Sequence, residues 1–344
     1  MRSRLTYGTT FRNGAFALLA VVAAIGLAAC GNSASSSTPA SKPLSIAYLS
    51  FAVANNYDAP MLSAAETVAQ IDHASVKVFD AKNSPQTQYS QLQQVIASGQ
   101  YTGVIVQPIV GTGLMKLVQE AIAKGIKVVN VDQILGPNLS TDDPQVSGLS
   151  ANVTFVPTKI GTELGQLVVQ ACDSQDLDPC NIGYLYDIKA SALDVAISGA
   201  FDKVVTADPA VTVIAQGQSF FNPATGLAAV QTMLQSQPAL NVIVGSDQGI
   251  EGAAEALAAA KLTGKVLLVG YGASAAALQG IAAGAWYGDV AQAPAREGSL
   301  AMQALIAALA TGKASGAINP VAGLPDDGII TRANVSQFTA EWTG

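Results

Sequence analysis

The sequence predicts an α/β protein: two similar, doubly wound parallel-sheet lobes joined by a hinge with about three crossings. Three observations point to it. Residues 104–133, VIVQPIVGTGLMKLVQEAIAKGIKVVNVDQ, read as one strand–helix–strand unit. The order of apolar runs and turns in the first half of the chain returns in the second half at matched spacing. The strands themselves are short continuous apolar runs, as strands buried on both faces of a parallel sheet are.

In the 104–133 unit, Val104, Ile105 and Val106 stop at Gln107-Pro108. A glycine-containing turn follows, then apolar residues at helical spacing: Leu114, Leu117, Val118, Ala121 and Ile122. Gly125 stands where a helix-terminating glycine belongs. The second apolar run, from Ile126 to Val131, ends in Asp132-Gln133. Polar residues at the carboxyl end of such a strand are where open α/β sheets hold ligands.

The other elements follow in order. Ile46 to Ser50 is a strand, Asn55-Asn56-Tyr57-Asp58 a polar loop, and Pro60 to Gln70 a helix with proline in its first turn. Val76 to Phe79 is a strand and Gln88 to Ser98 a helix. After the 104–133 unit and a polar passage (136–150), Thr158 to Cys172 is an amphipathic helix. Ile182 to Tyr186, Val211 to Ala215, Val242 to Val244 and Lys265 to Val269 are strands, alternating with helices at 191–206, 226–235 and 252–260. Helix 274–283, strand 287–291, helix 297–310 and a polar passage at 312–320 complete the reading. Pro85 precedes the strand at Val104 by 19 residues, and Pro223 precedes the strand at Val242 by 19; the strands at Ile46 and Ile182 lie 39 and 41 residues before those prolines. A period this long describes two similar domains. The expected lobes are 44–151 with 293–318, and 152–292 with 319–344, with the first crossing at Ser150 to Val153.

The chain of 344 residues is 50% hydrophobic and 12% charged, ample for a buried core, and its net charge of −7 has no basic face for nucleic acid. Arg2, Arg4 and Arg12 precede an apolar run from Ala15 to Ala29, the pattern of a secretory signal. The run ends in Leu27-Ala28-Ala29-Cys30-Gly31, which resembles a bacterial lipobox, in which the cysteine is diacylated and becomes the first residue. Residues 1–29 are therefore expected to be a signal peptide, Cys30 the lipidation site and 30–43 a flexible tether. That leaves Cys172 and Cys180 around a polar loop in an exported protein, and a local disulfide is expected.

Chemistry-bearing motifs are few. Gly111-Thr112-Gly113 with Asp132 imitates a dinucleotide-binding turn, but Lys116 fills the third glycine position and Pro108 interrupts the turn. The single histidine, His73, falls in a helix-to-strand connection, so serine-triad and zinc schemes lack parts. Asp58, Asp132 and Asp247 lie near strand ends, where binding or helix capping outweighs acid–base catalysis. No cofactor, no metal and no enzymatic activity are expected. Phe51, Tyr57, Phe220, Phe221 and Tyr271 all follow strand ends, and together they favour a small organic ligand.

On this order and spacing, residues from about 44 to 320 resemble the ribose-type family of periplasmic substrate-binding proteins. Their fold is shared with the effector domains of lactose-repressor-like regulators. The family's Asn-Asn-aromatic loop corresponds to Asn55-Asn56-Tyr57-Asp58, its Asp-Arg strand end to Asp132-Gln133, and its Arg-x-x-Gly-Phe to Ile197 through Phe201. Phe221 matches an aromatic wall, Ser246-Asp247 an Asn-Asp pair, Val269-Gly270-Tyr271-Gly272 a strand end that has lost its aspartate, and Gln292 a pocket glutamine.

The resemblance implies a type I periplasmic-binding-protein fold of Rossmann-like lobes. The ligand site would comprise Asn55, Tyr57, Asp58, Asp132, Gln133, Phe221, Ser246, Asp247, Tyr271 and Gln292. It also implies a monomeric receptor, lipid-anchored outside the bacterial cell membrane, that delivers its ligand to an ABC permease. The alternatives are a sensor that presents ligand to a signalling partner and a secreted carboxylate-dependent enzyme. Loss of both family arginines points to a neutral ligand with fewer bridged hydroxyls: a deoxygenated sugar, a polyol or a less polar cyclic compound.

Overall fold

The computed structural model describes residues 44–344; the expected signal peptide (1–29), Cys30 and the tether (30–43) lie outside the described residues. The first sheet is built from β1 (Ser45–Ser50), β2 (Ser75–Asp80), β3 (Gly103–Val106), β4 (Lys127–Asp132), β5 (Ala151–Thr154) and β11 (Gly316–Ile318), in the order β11-β5-β4-β3-β1-β2. The second contains β6 (Cys180–Tyr186), β7 (Val211–Gln218), β8 (Val242–Gly245), β9 (Leu267–Tyr271), β10 (Gly288–Val290) and β12 (Ile329–Thr331), in the order β12-β10-β9-β8-β6-β7. All pairings are parallel except β10 with β12.

The two strand orders match position for position, so the repeat in the sequence is a repeat in topology. In each sheet the first strand of the lobe is flanked by the second and third, and the order reverses between the first and third (β1/β3 and β6/β8). That reversal opens a crevice at the strand carboxyl ends.

Helices cover both faces of each sheet. In the first lobe these are α1 (Asp58–Ile71), α2 (Pro85–Ser98) and α3 (Gly111–Ala123), joined by α9 (Pro294–Thr311), which packs on α1. The second lobe has α4 (Pro157–Asp173), α5 (Ala192–Val205), α6 (Pro223–Ser236), α7 (Asp247–Ala260) and α8 (Ala275–Ala283). The matched prolines have one local cause. Pro85 and Pro223 each occupy the first turn of a helix, behind an N-cap whose side chain accepts a backbone N–H: Ser84 from Thr87, at 3.2 Å, and Asn222 from Thr225, at 3.1 Å. Buried apolar residues form two clusters per lobe, one against each face of its sheet.

The chain passes between sheets three times: after β5 into α4, between β10 and α9, and between β11 and β12. The first differs from the sequence reading. Residues 151–154 form β5 and pair with β4, so residues 152–154 belong to the first sheet, and the crossing follows at 155–156. Likewise the polar passage at 312–320 contains β11, which pairs with β5. Both strands have four residues or fewer, too short for a readable period.

Cys172 and Cys180 form a disulfide, with Cα atoms 5.9 Å apart, inside the second lobe's core. His73 is exposed in the α1–β2 connection. Gly111 has a packing reason for lacking a side chain: a Cβ there would lie 2.0 Å from the carbonyl oxygen of Ile134. No helix among the described residues is long and apolar enough to cross a membrane.

Candidate functional site

The two crevices face each other, and a cavity of about 60 Å3 lies between them. At the 10–15 Å3 that one water centre needs, it holds roughly four to six waters, or one small ring. The first lobe supplies Phe51 and Asn55 from the loop after β1, Tyr57 and Asp58 at the start of α1, and Asp132 and Gln133 at the end of β4. The second supplies Leu193, Phe221, Ser246, Gln248 and Tyr271; Phe155 and Gln292 come from the first two crossings, and Trp342 from the segment after β12.

Nine of the ten residues singled out from the sequence thus meet around one space, and Asp247 does not. Its side chain is fully buried beneath the cavity wall, where one carboxylate oxygen accepts the N–H of Ser274, the N-cap of α8, at 2.7 Å. Its other oxygen and Oδ2 of Asp289 have no hydrogen-bond partner among the described residues, and a side chain at Gly270 would collide with both. Burial, then the charge of Asp247, pushes Asp289 well above the usual carboxylate range. The adjacent Ser246 is the true N-cap of α7, accepting the N–H of Gly249 at 3.4 Å.

On the first-lobe side the organising residue is Gln107, directly after β3. Its Nε2 donates to Asp58 Oδ1 at 2.7 Å and to Asp132 Oδ2 at 3.1 Å, while its Oε1 accepts the N–H of Phe51 at 3.0 Å. Gln88 locks the backbone around it, donating to the Gln107 carbonyl at 2.7 Å and accepting from Ile109 N–H at 2.9 Å. Asp58 also accepts the N–H of Ala52 at 3.2 Å. Burial first, then the charge of Asp132, raises the Asp58 carboxyl to about 8; burial raises Asp132 to about 7. Neither carboxyl has a cationic partner among the described residues. Asp132 sits at φ 67°, in the left-handed region that turns its carboxyl off the strand.

The second-lobe side is built around Asp187, directly after β6. Ser246 Oγ donates to it at 2.6 Å and Tyr271 OH at 2.7 Å, and the Ser219 hydroxyl donates as well. Burial raises this carboxyl to about 6, against the opposing pull of the three hydroxyls. Ser246 and Tyr271 are thereby fixed in place with their remaining surfaces toward the cavity.

Ties join the lobes beside the cavity, among them Gln248 Nε2 donating to Asn55 Oδ1 at 3.5 Å. The rings of Tyr57 and Trp342 meet edge to face at 5.3 Å, and Trp342 Nε1 donates to the carbonyl of Gly272 at 2.7 Å. Asn56 Nδ2 donates to the carbonyl of Gly344 at 2.9 Å. Tyr57 OH in turn donates to the buried Glu297 Oε1 of α9 at 3.0 Å.

The sequence reading missed Gln107, Gln248, Phe155, Leu193 and Trp342. Gln107 carried a signal, since a polar residue ends an apolar run there. Trp342 had none: it lies beyond the stretch that shows the repeat. Where the family's arginine was expected, Ile197 is buried in the second lobe's core, and Leu193, one turn earlier, lines the cavity. Phe220 lies outside the cavity and is 54% exposed.

Comparison with known proteins agrees with the fold. A family described as "Periplasmic binding protein domain" matches residues 46–314. The D-allose-binding periplasmic protein of Escherichia coli (strain K12) is 26% identical over 276 residues, covering 76% of this chain and 83% of that protein. The crystal structure of a galactofuranose binding protein superposes with a TM-score of 0.73 at 17% identity, over 86% of this chain and 97% of that one. An ABC transporter solute binding protein from Bacillus halodurans with bound myo-inositol gives a TM-score of 0.73 at 18% identity, over 89% of this chain and 100% of the other.

Proposed function

Because this chain belongs to the periplasmic binding protein domain family, we propose that it is a solute-binding receptor that captures one small, neutral, hydroxylated ring or polyol between its lobes and delivers it to an ABC importer. Family membership implies an extracytoplasmic location. Cys30 tethers the receptor to the outer face of the cell membrane, and the protein acts as a monomer without a cofactor. The observation that carries the reading is the cavity itself. It lies where the two sheets' carboxyl edges face each other, and both lobes furnish its walls. Asn55, Asp58, Asp132, Gln133, Ser246 and Gln292 supply acceptors and donors for hydroxyls, and Tyr57, Phe221 and Tyr271 supply flat walls for the C–H face of a ring.

The chemistry of the walls narrows the ligand. No arginine or lysine among the described residues lines the cavity, so an anion would meet only carboxyls and dipoles. Gln133 and Ile197 stand where the resemblance puts arginines, so hydroxyls are met by neutral groups. Ligand that touches both lobes binds the closed form better, and this differential affinity is what draws the hinge shut.

The test is a thermal-shift and calorimetric screen of the soluble chain starting after Cys30, with D-allose, D-arabinose, myo-inositol and glycerol. A ligand at a hundred times its dissociation constant adds about 2.7 kcal/mol. Absence of any shift across sugars and polyols would overturn the reading. Metabolic labelling with an alkyne fatty acid, lost in Cys30→Ala, tests the anchor.

A further inference from the structure

The cavity continues outward. Phe51, Asn55, Gln133, Leu193, Phe221 and Gln248 line both it and an outer cleft of about 750 Å3. The rim of that cleft carries apolar side chains among polar ones such as Asn56, Asn83 and Asn222. Of the large hydrophobic side chains exposed on the described surface, three border it: Val110 at 47%, Ile188 at 38% and Phe220 at 54%. Val110 belongs to the first lobe, just before α3, and Ile188 and Phe220 to the second, so apolar side chains stand on both sides. Scattered single hydrophobics are ordinary on a surface; several converging on the mouth of one cavity mark a binding surface.

The backbone is also set against its own preference there. Phe220 and Phe221 have φ 55° and 52°, the left-handed region that side-chain-bearing residues avoid. The turn is pinned by Phe220 N–H donating to the Asp187 carbonyl at 3.1 Å and Phe221 N–H donating to Ser219 Oγ at 3.2 Å. Its result is a division of labour between adjacent rings: Phe221 lines the inner cavity, and Phe220 only the outer cleft.

We propose that the outer cleft is a second subsite for the same ligand: the polar ring of the ligand fills the inner cavity, and an apolar substituent on that ring, alkyl or aryl, lies between Val110, Ile188 and Phe220. This rests on the solute-binding reading above and adds the substituent to it. Continuity selects this occupant, because any group attached to a ring in the inner cavity and pointing outward must pass between Phe51, Leu193 and Phe221 into the cleft.

The experiment is calorimetric titration of D-allose and D-arabinose against their phenyl glycosides, on the unaltered protein and on Phe220→Ser and Ile188→Ser. Both substitutions are at solvent-exposed positions, and melting temperatures check that the variants fold. The phenyl glycoside of at least one sugar should bind at least about tenfold more tightly than its parent. In the variants that advantage should shrink to about twofold, with the affinity for the parent sugar unchanged. Parent sugars binding as well as their glycosides, or an advantage that survives both substitutions, would overturn the subsite and leave the receptor reading intact. Unchanged glycoside preference in Phe220→Ser, with uptake lost in cells, would assign the patch to a protein partner instead and equally overturn it. Binding of neither class would overturn the subsite, and the receptor reading falls with it only if the sugar and polyol screen above also gives no shift.

Discussion

Gln107 holds Asp58 and Asp132 together: the two hydrogens of its Nε2 point to one carboxylate oxygen of each, at 2.7 and 3.1 Å. One amide thereby satisfies two buried acids from different elements, the start of α1 and the end of β4, and sets the spacing of the first-lobe wall.

Replacing Gln107 with leucine keeps its volume and removes both donors and the acceptor for Phe51 N–H. A buried polar group left without a partner costs about 1–3 kcal/mol. The expected outcome is destabilisation of that order in urea titration and at least a tenfold loss of ligand affinity. Wild-type affinity in Gln107→Leu would show that the bridge does not shape the site.

The same pair gives stability a pH dependence. Asp58 is raised to about 8 and Asp132 to about 7, burial being the larger cause, against an ordinary value of 3.8. Both folded-state values lie above the unfolded one, so the folded chain holds more protons between about pH 4 and 8. Stability is full below that window and falls as the pH rises through it. At about 1.4 kcal/mol per tenfold change in proton affinity, the decline amounts to several kcal/mol. Thermal melts of the ligand-free protein should show the melting temperature dropping from pH 5 to 8, and Asp58→Asn should flatten the drop. A melting temperature that rises over this range would contradict the burial of uncompensated carboxyls.

Trp342 ties the segment after β12 to both lobes. Trp342→Ala removes the edge-to-face contact with Tyr57 and the hydrogen bond to Gly272, and truncating a buried tryptophan costs about 3–5 kcal/mol. Trp342→Phe keeps a ring against Tyr57 and loses only the donor, about 1 kcal/mol. The ordering of melting temperatures should be wild type, then Phe, then Ala, with ligand affinity following the same order. An Ala variant that binds as well as the Phe variant would remove Trp342 from the cavity wall.

Cys172 and Cys180 close a loop with a sequence separation of 8. A cross-link of that span stabilises by about 2.5 kcal/mol, chiefly through the unfolded chain. The double variant Cys172→Ala, Cys180→Ala should unfold at correspondingly lower urea, and reductant should lower the midpoint of the natural chain but not that of the variant.

The sequence by itself determined the repeated α/β architecture, because continuous apolar runs, helical spacing and first-turn prolines are local signals, and local signals in repeated order describe repeated domains. It also brought Asn55, Tyr57, Asp132, Phe221, Ser246, Tyr271 and Gln292 to one edge, because strand carboxyl ends are readable as the places where apolar runs stop. Only the tertiary structure decided what each side chain does at that edge. Asp247 follows a strand end as plausibly as Asp132, yet it turns inward to accept the N–H of Ser274, the N-cap of α8. Trp342 reaches the cavity from far along the chain, because the segment after β12 folds back over the N-terminus of α8. The short strands β5 and β11 form because neighbouring strands offer unpaired backbone groups, a cause that no local pattern encodes. Whether a residue faces the cavity, the core or the solvent depends on what packs against it, and that is a property of the assembled lobes.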